Sequence, residues 1–297
     1  VGRRLRPRGC IQRGGLIEWH CMDSKVWFPR SGVLLGPLVL LGAFMLLAGT
    51  AQPGLSKAQS EDEYLGYTGI ALARHSTKFL YGESHVLHYR DGRLAERVVL
   101  YTCRDGSPFA RKVATYVDAL APDFLLEDAS NGLREGVAST GGERTVFFRG
   151  GDAAAQKGGK LPEVPGLVAD AGFDEFIRSH WRPLMEGKSL PLPFLVPSRL
   201  DDVTFAVRHV GSATVGGTSA EVFRLTLSGV LGWVAPAIDV SYGADDHVLM
   251  RYEGLSDLRD ASGGNLSTQI TFPERDRTPS DAQSLSTALQ ARLARCK

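Results

Sequence analysis

The sequence predicts a mainly β fold (α+β): a curved antiparallel sheet or half-barrel of about 12 strands, with one helix inserted midway and one C-terminal helix. Three observations carry this expectation. Short segments of alternating apolar and polar residues recur between turn residues on both sides of the chain's middle. Between those two runs, Asp170 to Pro197 reads DAGFDEFIRSHWRPLMEGKSLPLPFLVP, an amphipathic helix followed by a proline-spaced extended segment. A capping pattern and a leucine face mark a second helix over 281–295.

The first run comprises Thr68 to Arg74, Glu83 to Arg90, Leu94 to Cys103, Phe109 to Val117, Phe124 to Asp128, Arg134 to Thr140 and Arg144 to Arg149. Asp91-Gly92 sits between two of these segments and predicts a tight hairpin, because both residues can adopt positive φ. Arg104-Asp105-Gly106, Asn131-Gly132 and Gly141-Gly142 supply further turns. In Leu94 to Cys103 one face carries Leu94, Val98 and Leu100, and the other Val99, Tyr101 and Cys103. A strand apolar on both faces is covered on both, and the two helices are the only candidates for the second cover. Gly150 to Gly166 reads as a flexible connection and lacks the spacing of a phosphate-binding loop.

The central helix is expected over 170–182. Asp170 is placed to cap it, and Asp174 and Glu175 bring negative charge to the positive end of its dipole. Phe173, Phe176, Ile177, Trp181 and Leu184 share one face. Pro183 is expected to end the helix near Arg182, leaving Leu184 just outside it. Pro191, Pro193 and Pro197 then force an extended path through Leu190, Leu192, Phe194, Leu195 and Val196, which must be buried or border an apolar opening. The helix is therefore either a plug that closes the sheet's core or a lid over a ligand cavity.

In the second run, Val203, Phe205, Val207 and His209 alternate with polar or small residues, as do Phe223, Leu225 and Leu227. The same holds for Ile238, Val240 and Tyr242, for Val248, Met250 and Tyr252, and for Leu266, Thr268, Ile270 and Phe272. The closing helix is predicted from a Ser280/Gln283 capping box, with Arg292 and Arg295 near its negative end and Leu285, Leu289, Leu293 and Cys296 on one face.

The N-terminus reads as an address. Val33 to Gly49 carries no charged side chain, and small residues at Gly49 and Ala51 set up cleavage between Ala51 and Gln52. Met22 is the better start, which makes 1–21 an upstream extension, 22–51 a signal peptide, 52–63 a linker and 64–297 a single β-rich domain. The expected location is periplasmic or secreted, and the alternative is an inner-membrane anchor through Val33 to Gly49. In an oxidising compartment Cys103 and Cys296 either pair, tying the last helix to a distant strand, or remain two separate buried thiols.

Without its basic N-terminal stretch the chain is mildly acidic, which gives no electrostatic footprint for nucleic acid. Neither a cysteine-based metal pattern nor GxSxG or HExxH occurs, so no cofactor and no metal are expected. Asp245, Asp246 and His247 fit turn chemistry better than metal ligation. His85 and His88 point to opposite faces of one strand, whereas Glu83 and His85 share a face and form the one acid/base candidate.

About twelve strands with a helix inserted midway and another at the end, behind a signal peptide, resemble the periplasmic lipoprotein carriers, the LolA, LolB and LppX-like half-barrels. The resemblance is architectural, covers roughly Tyr64 to Phe272 and transfers no functional residue. In that family a curved sheet cups helices and the cavity takes acyl chains. The resemblance implies an exported, non-catalytic envelope protein whose partner is a lipid, acyl chain or other apolar small molecule held in the concavity. Phe176, Trp181, Phe194, Phe205, Phe223 and Tyr252 are the ligand-binding candidates. An envelope protein partner fits this reading, and membrane contact is expected only through the signal segment. Two alternatives are an exported, hydrolase-like enzyme assembled from scattered residues and a structural envelope protein.

Overall fold

In the computed structural model, which describes residues 62–229 and 236–297, the alternation of the sequence becomes one antiparallel sheet of fifteen strands. The N-terminal meander runs through β1 (Asp62–Ala73), β2 (Phe79–Arg90), β3 (Arg93–Thr102), β4 (Pro108–Thr115), β5 (Asp123–Asp128), β6 (Leu133–Thr140), β7 (Glu143–Gly150) and β8 (Lys157–Lys160). Two short helices follow, α1 (Gly172–Ser179) and α2 (Trp181–Met185). The second meander is β9 (Leu190–Val196), β10 (Asp201–Val215), β11 (Thr218–Leu227), β12 (Ile238–Gly243), β13 (Leu249–Arg259) and β14 (Asn265–Thr271). The short β15 (Thr278–Pro279) and α3 (Ala282–Gln290) complete the chain.

The spatial order runs from β8 down to β1, then from β14 down to β9. β1 pairs with β14 through Ile70 to Ala73 and so joins the two meanders; β15 takes the free length of β1 at Leu65 and Gly66. Three strands exceed the sequence expectation. Lys157–Lys160 and Thr278–Pro279 pair although their composition is that of loops, and the proline-spaced segment is itself β9. Pro191 and Pro193 are tolerated there because β9 ends the sheet, where an amide without a hydrogen leaves no ladder partner unpaired.

The ends of the sheet curl toward each other. A 3-10 turn after β9, Pro197–Arg199, packs on β6 and β7. Val168 bonds to both sides of Phe194, from its N–H to the Pro193 carbonyl and from the Leu195 N–H to its own carbonyl, each at 2.8 Å. Val137, Val146, Ala169 and Leu195 bury this seam. The first hairpin turn matches its sequence signature, with Asp91 and Gly92 at φ 52° and 71°.

The two-faced β3 has its two covers. Val98 packs outward with Val86 against Leu285 and Ala288 of α3, while Val99 and Tyr101 face the interior. α3 is shorter than the 281–295 expected. Asp281, not Ser280, caps it by accepting from the Ser284 N–H at 2.7 Å, and the Gln283 amide turns instead to Thr287. The helix stops at Gln290, where Arg111 of β4 donates to the carbonyls of Leu289 and Ala291. A cation from the sheet thus meets the negative end of the dipole that Arg292 and Arg295 were expected to serve. Leu293 and Cys296 consequently lie on an extended tail, where the Ala294 N–H donates to Pro108 and a disulfide joins Cys296 to Cys103, their Cα atoms 5.6 Å apart.

The central helix also departs from the expected 170–182. Asp170 has φ 49° and does not cap it; the N-cap is Ala171. The helix breaks at His180 and restarts, so Pro183 falls in the first turn of α2, where an amide hydrogen has no helical partner in any case. Leu184 is fully buried within α2 rather than beyond the helix. Together α1 and α2 fill the concavity of the second meander: Phe176, Ile177 and Leu184 pack on Leu192, Val207, Phe223 and Val240.

The described residues fall within one compact unit, Ser56–Lys297. The expected extension 1–21, the signal segment with its Ala51 to Gln52 cleavage, and the linker up to Glu61 lie outside the described residues. Among the described residues no helix is long and apolar enough to cross a membrane.

Candidate functional site

Because α1 and α2 occupy only one side of the concavity, a cavity of about 180 Å³ remains beside the N-terminal end of α1. Its walls divide largely by meander. Phe194, Phe205, Leu225, Ile238 and Leu249, from β9 to β13, make one wall apolar. Glu83 and His85 of β2, Arg97 of β3 and Lys112 of β4 make the other charged, and Asp170 before α1 and Asp174 in its first turn add carboxylates. The volume is only slightly above that of an apolar cavity known to hold benzene, about 150 Å³, and below the roughly 300–1,000 Å³ of drug-sized sites. In this arrangement it accommodates a small ring or a short alkyl chain.

The charged wall is built by strand parity. Tyr81, Glu83 and His85 alternate along the inner face of β2, and Arg97, Val99 and Tyr101 along that of β3. Glu83 and His85 are both buried, and Glu83 Oε2 lies 2.7 Å from His85 Nε2. Burial lowers the His85 pKa and outweighs the opposing effect of Glu83, so the imidazole is neutral. A carboxylate only accepts, which puts the ring hydrogen on Nε2 and a lone pair on Nδ1. The ring is clamped: Tyr67 stacks on it at 4.3 Å, and Phe272 meets it edge-on at 5.6 Å. Phe272 reaches that place because Gly69 of β1 has no side chain; a Cβ there would lie 2.6 Å from the Phe272 ring.

Lys112 bridges the cavity floor. Its ammonium donates to both Asp170 and Asp257. Burial disfavours its charge, yet Asp170 and Asp257 more than offset this and hold its pKa well above the ordinary value. Arg97 lies 3.8 Å from Asp174, which also receives Arg178 at 3.2 Å. Four buried polar atoms of this wall lack a well-formed hydrogen bond: His85 Nδ1, Arg97 Nε, Asp170 Oδ2 and Asp174 Oδ1. The Tyr242 hydroxyl interacts with the Asp174 carboxylate from the core side.

Of the ligand-binding candidates, Phe194, Phe205 and Tyr252 line the cavity, whereas Phe176, Trp181 and Phe223 belong to the helix–sheet core. Trp181 stacks on His247 at 3.8 Å, and Asp246 accepts from the Val248 N–H, so the Asp245 to His247 segment is a turn that docks α2. His88 faces outward, stacked on Tyr64 and bonded to Asp62. Among the described residues no group of three or more His, Cys, Asp or Glu is placed to hold a metal. Sequence reasoning passed over Arg97 and Lys112. Their signal was a charge at an inward position of an otherwise apolar face, with Val99 and Tyr101 flanking the first and Ala110 and Ala114 the second.

No family model and no curated protein matches the sequence. Among solved structures, a beta-barrel-like protein of the domain of unknown function DUF1849 from Brucella abortus is similar at TM-score 0.43 and 9% identity, over 74% of this chain and 98% of that one. A domain assigned to outer membrane lipoprotein sorting, from Vibrio parahaemolyticus, is similar at TM-score 0.26 and 7% identity, over 77% of this chain and 92% of that one. A DUF1329 family protein from Desulfovibrio piger follows at TM-score 0.28 and 8% identity, over 80% and 93%. Their low scores and identities give them no weight in assigning a ligand or an activity.

Proposed function

We propose that the protein is an exported, periplasmic, non-catalytic binding protein that holds an amphiphile in the concavity of its sheet, the tail on the apolar wall and the polar end on the charged wall. The observation that carries this reading is the division of one cavity into an aromatic and aliphatic wall from β9 to β13 and a charged wall from β2 to β4. Transfer of a tail to the first wall contributes about 25 cal/mol per Å² of apolar surface, before the costs of ordering. A tail longer than the cavity requires α1 to shift. Phe173 and Asp174 of α1 border the cavity, while Phe176 and Ile177, on the same helix, are held in the core.

An exported enzyme is the second reading, favoured by the buried Glu83–His85 pair, whose free Nδ1 is a competent base. It ranks lower because Ser256, the cavity's one aliphatic hydroxyl among the described residues, already accepts from the Tyr81 hydroxyl and the Leu258 N–H.

Native mass spectrometry tests the first reading. Protein purified without detergent is expected to carry a bound mass that organic extraction removes and that Phe205→Asp abolishes. An empty protein that also fails to take up a fluorescent fatty acid contradicts it. Hydrolysis of ester substrates that disappears with His85→Ala would favour the second.

A further inference from the structure

The polar wall does not treat all headgroups alike. Its unpartnered buried atoms are two acceptors, His85 Nδ1 and Asp170 Oδ2, against one donor, Arg97 Nε, while the Asp174 carboxylate already meets the Tyr242 hydroxyl. His85, Arg97, Asp170 and Asp174 all line the cavity. Asp170 is the most enclosed of them, its side chain 2% exposed, with only its other oxygen engaged by Lys112. The charge balance leans the same way. Glu83, Asp170, Asp174 and Asp257 line the cavity against Arg97 and Lys112, and His85 is neutral. Arg178 approaches Asp174 from outside the cavity, and among the side chains that line it the carboxylates outnumber the cations.

Building on the amphiphile reading, we infer that the charged wall selects a primary ammonium headgroup, an alkylamine-type amphiphile, over carboxylate, hydroxyl and quaternary ammonium headgroups. An ammonium brings three N–H donors and no acceptor, which suits a wall whose unpartnered atoms are mostly acceptors. It also brings one positive charge to a wall with an excess of carboxylates. A carboxylate headgroup reverses both matches: it adds acceptors to a wall short of donors and a negative charge beside Asp170 and Asp174. A trimethylammonium carries the charge without the N–H groups, so it separates hydrogen bonding from electrostatic attraction.

Isothermal titration of the full chain with four ligands whose tails have seven or eight carbons, octylammonium, octyltrimethylammonium, octanol and octanoate, tests this assignment near neutral pH. The tail is kept nearly constant and the headgroup changes. Octylammonium is expected to bind at least about tenfold more tightly than each of the others. Asp174→Asn is expected to erase most of that preference. The series on the unmodified protein decides the matter even if the variant folds poorly. Equal binding of all four ligands, stronger binding of octanoate, or equal binding of the two ammonium ligands overturns the headgroup assignment while the amphiphile reading stands. No binding of any octyl ligand overturns both.

Discussion

Asp170, in the loop before α1, ion-pairs with Lys112 of β4, 58 residues earlier in the chain. The contact fixes the start of the plug helix to the charged wall, and its groups are almost fully enclosed, with side chains 2% and 10% exposed. Lys112→Met leaves Asp170 charged and buried without its partner. Loss of about 3 kcal/mol in urea unfolding is expected, and Lys112→Met with Asp170→Asn should recover part of it. A single variant as stable as the parent would show that the pair does not hold the helix.

Gly69 pairs with Glu83 across β1 and β2, and the Phe272 ring lies over it. Gly69→Ala drives a methyl to within 2.6 Å of that ring, so Phe272 must leave its edge contacts with Tyr67 and His85. A loss of about 1–3 kcal/mol is expected. Adding Phe272→Leu should relieve it, and denaturant midpoints of the two variants measure both effects.

Glu135 of β6 is buried, with Arg259 3.9 Å away. Burial, reinforced by the charge of Asp257, pushes its carboxyl up to about 8. Between the ordinary carboxylate value and that point the native protein holds a proton that the unfolded chain has released, so this group's contribution to stability falls as pH rises through the window. Glu135→Gln removes the dependence. The variant should match the parent near about pH 5 and exceed it by at least about 1 kcal/mol near about pH 9. A stability difference independent of pH would contradict the assignment.

The Cys103–Cys296 disulfide closes a sequence separation of 193 residues and anchors the tail that follows α3. Changing both cysteines to serine is expected to cost about 2–5 kcal/mol. The tail should then become the first segment cut by a protease, with Arg292 and Arg295 as trypsin sites. An intact mass that does not rise on reduction would show two free thiols instead.

The strands with strict alternation were legible from sequence. Phe205, Phe223 and Tyr252 each fall on an inward face as their period requires, because period two translates directly into sheet parity. The helix ends were less legible. Asp170 looked like a cap by type, but its carboxylate is claimed by Lys112, a partner that local sequence does not reveal. Pro183 looked like a terminator, yet a break at His180 moved it into the first turn of a new helix. The site itself was half legible. Glu83 and His85 were found because neighbours of one parity share a face, and Arg97, Lys112 and Asp257 were missed because the strands that join them to the cavity are paired only by the fold. Phe176 and Trp181 share the predicted helical face with Phe173, but of that face only Phe173 reaches the cavity, beside Asp174, while Phe176 and Trp181 plug the second meander.

The most direct test of the central claim is a crystal structure of the protein with octylammonium bound. The account predicts the alkyl chain between Phe205, Leu225 and Ile238, with the nitrogen within hydrogen-bond reach of Asp170, Asp174 or His85. A ligand seated on the outer face of the sheet, or a cavity unchanged at saturating ligand, would contradict it.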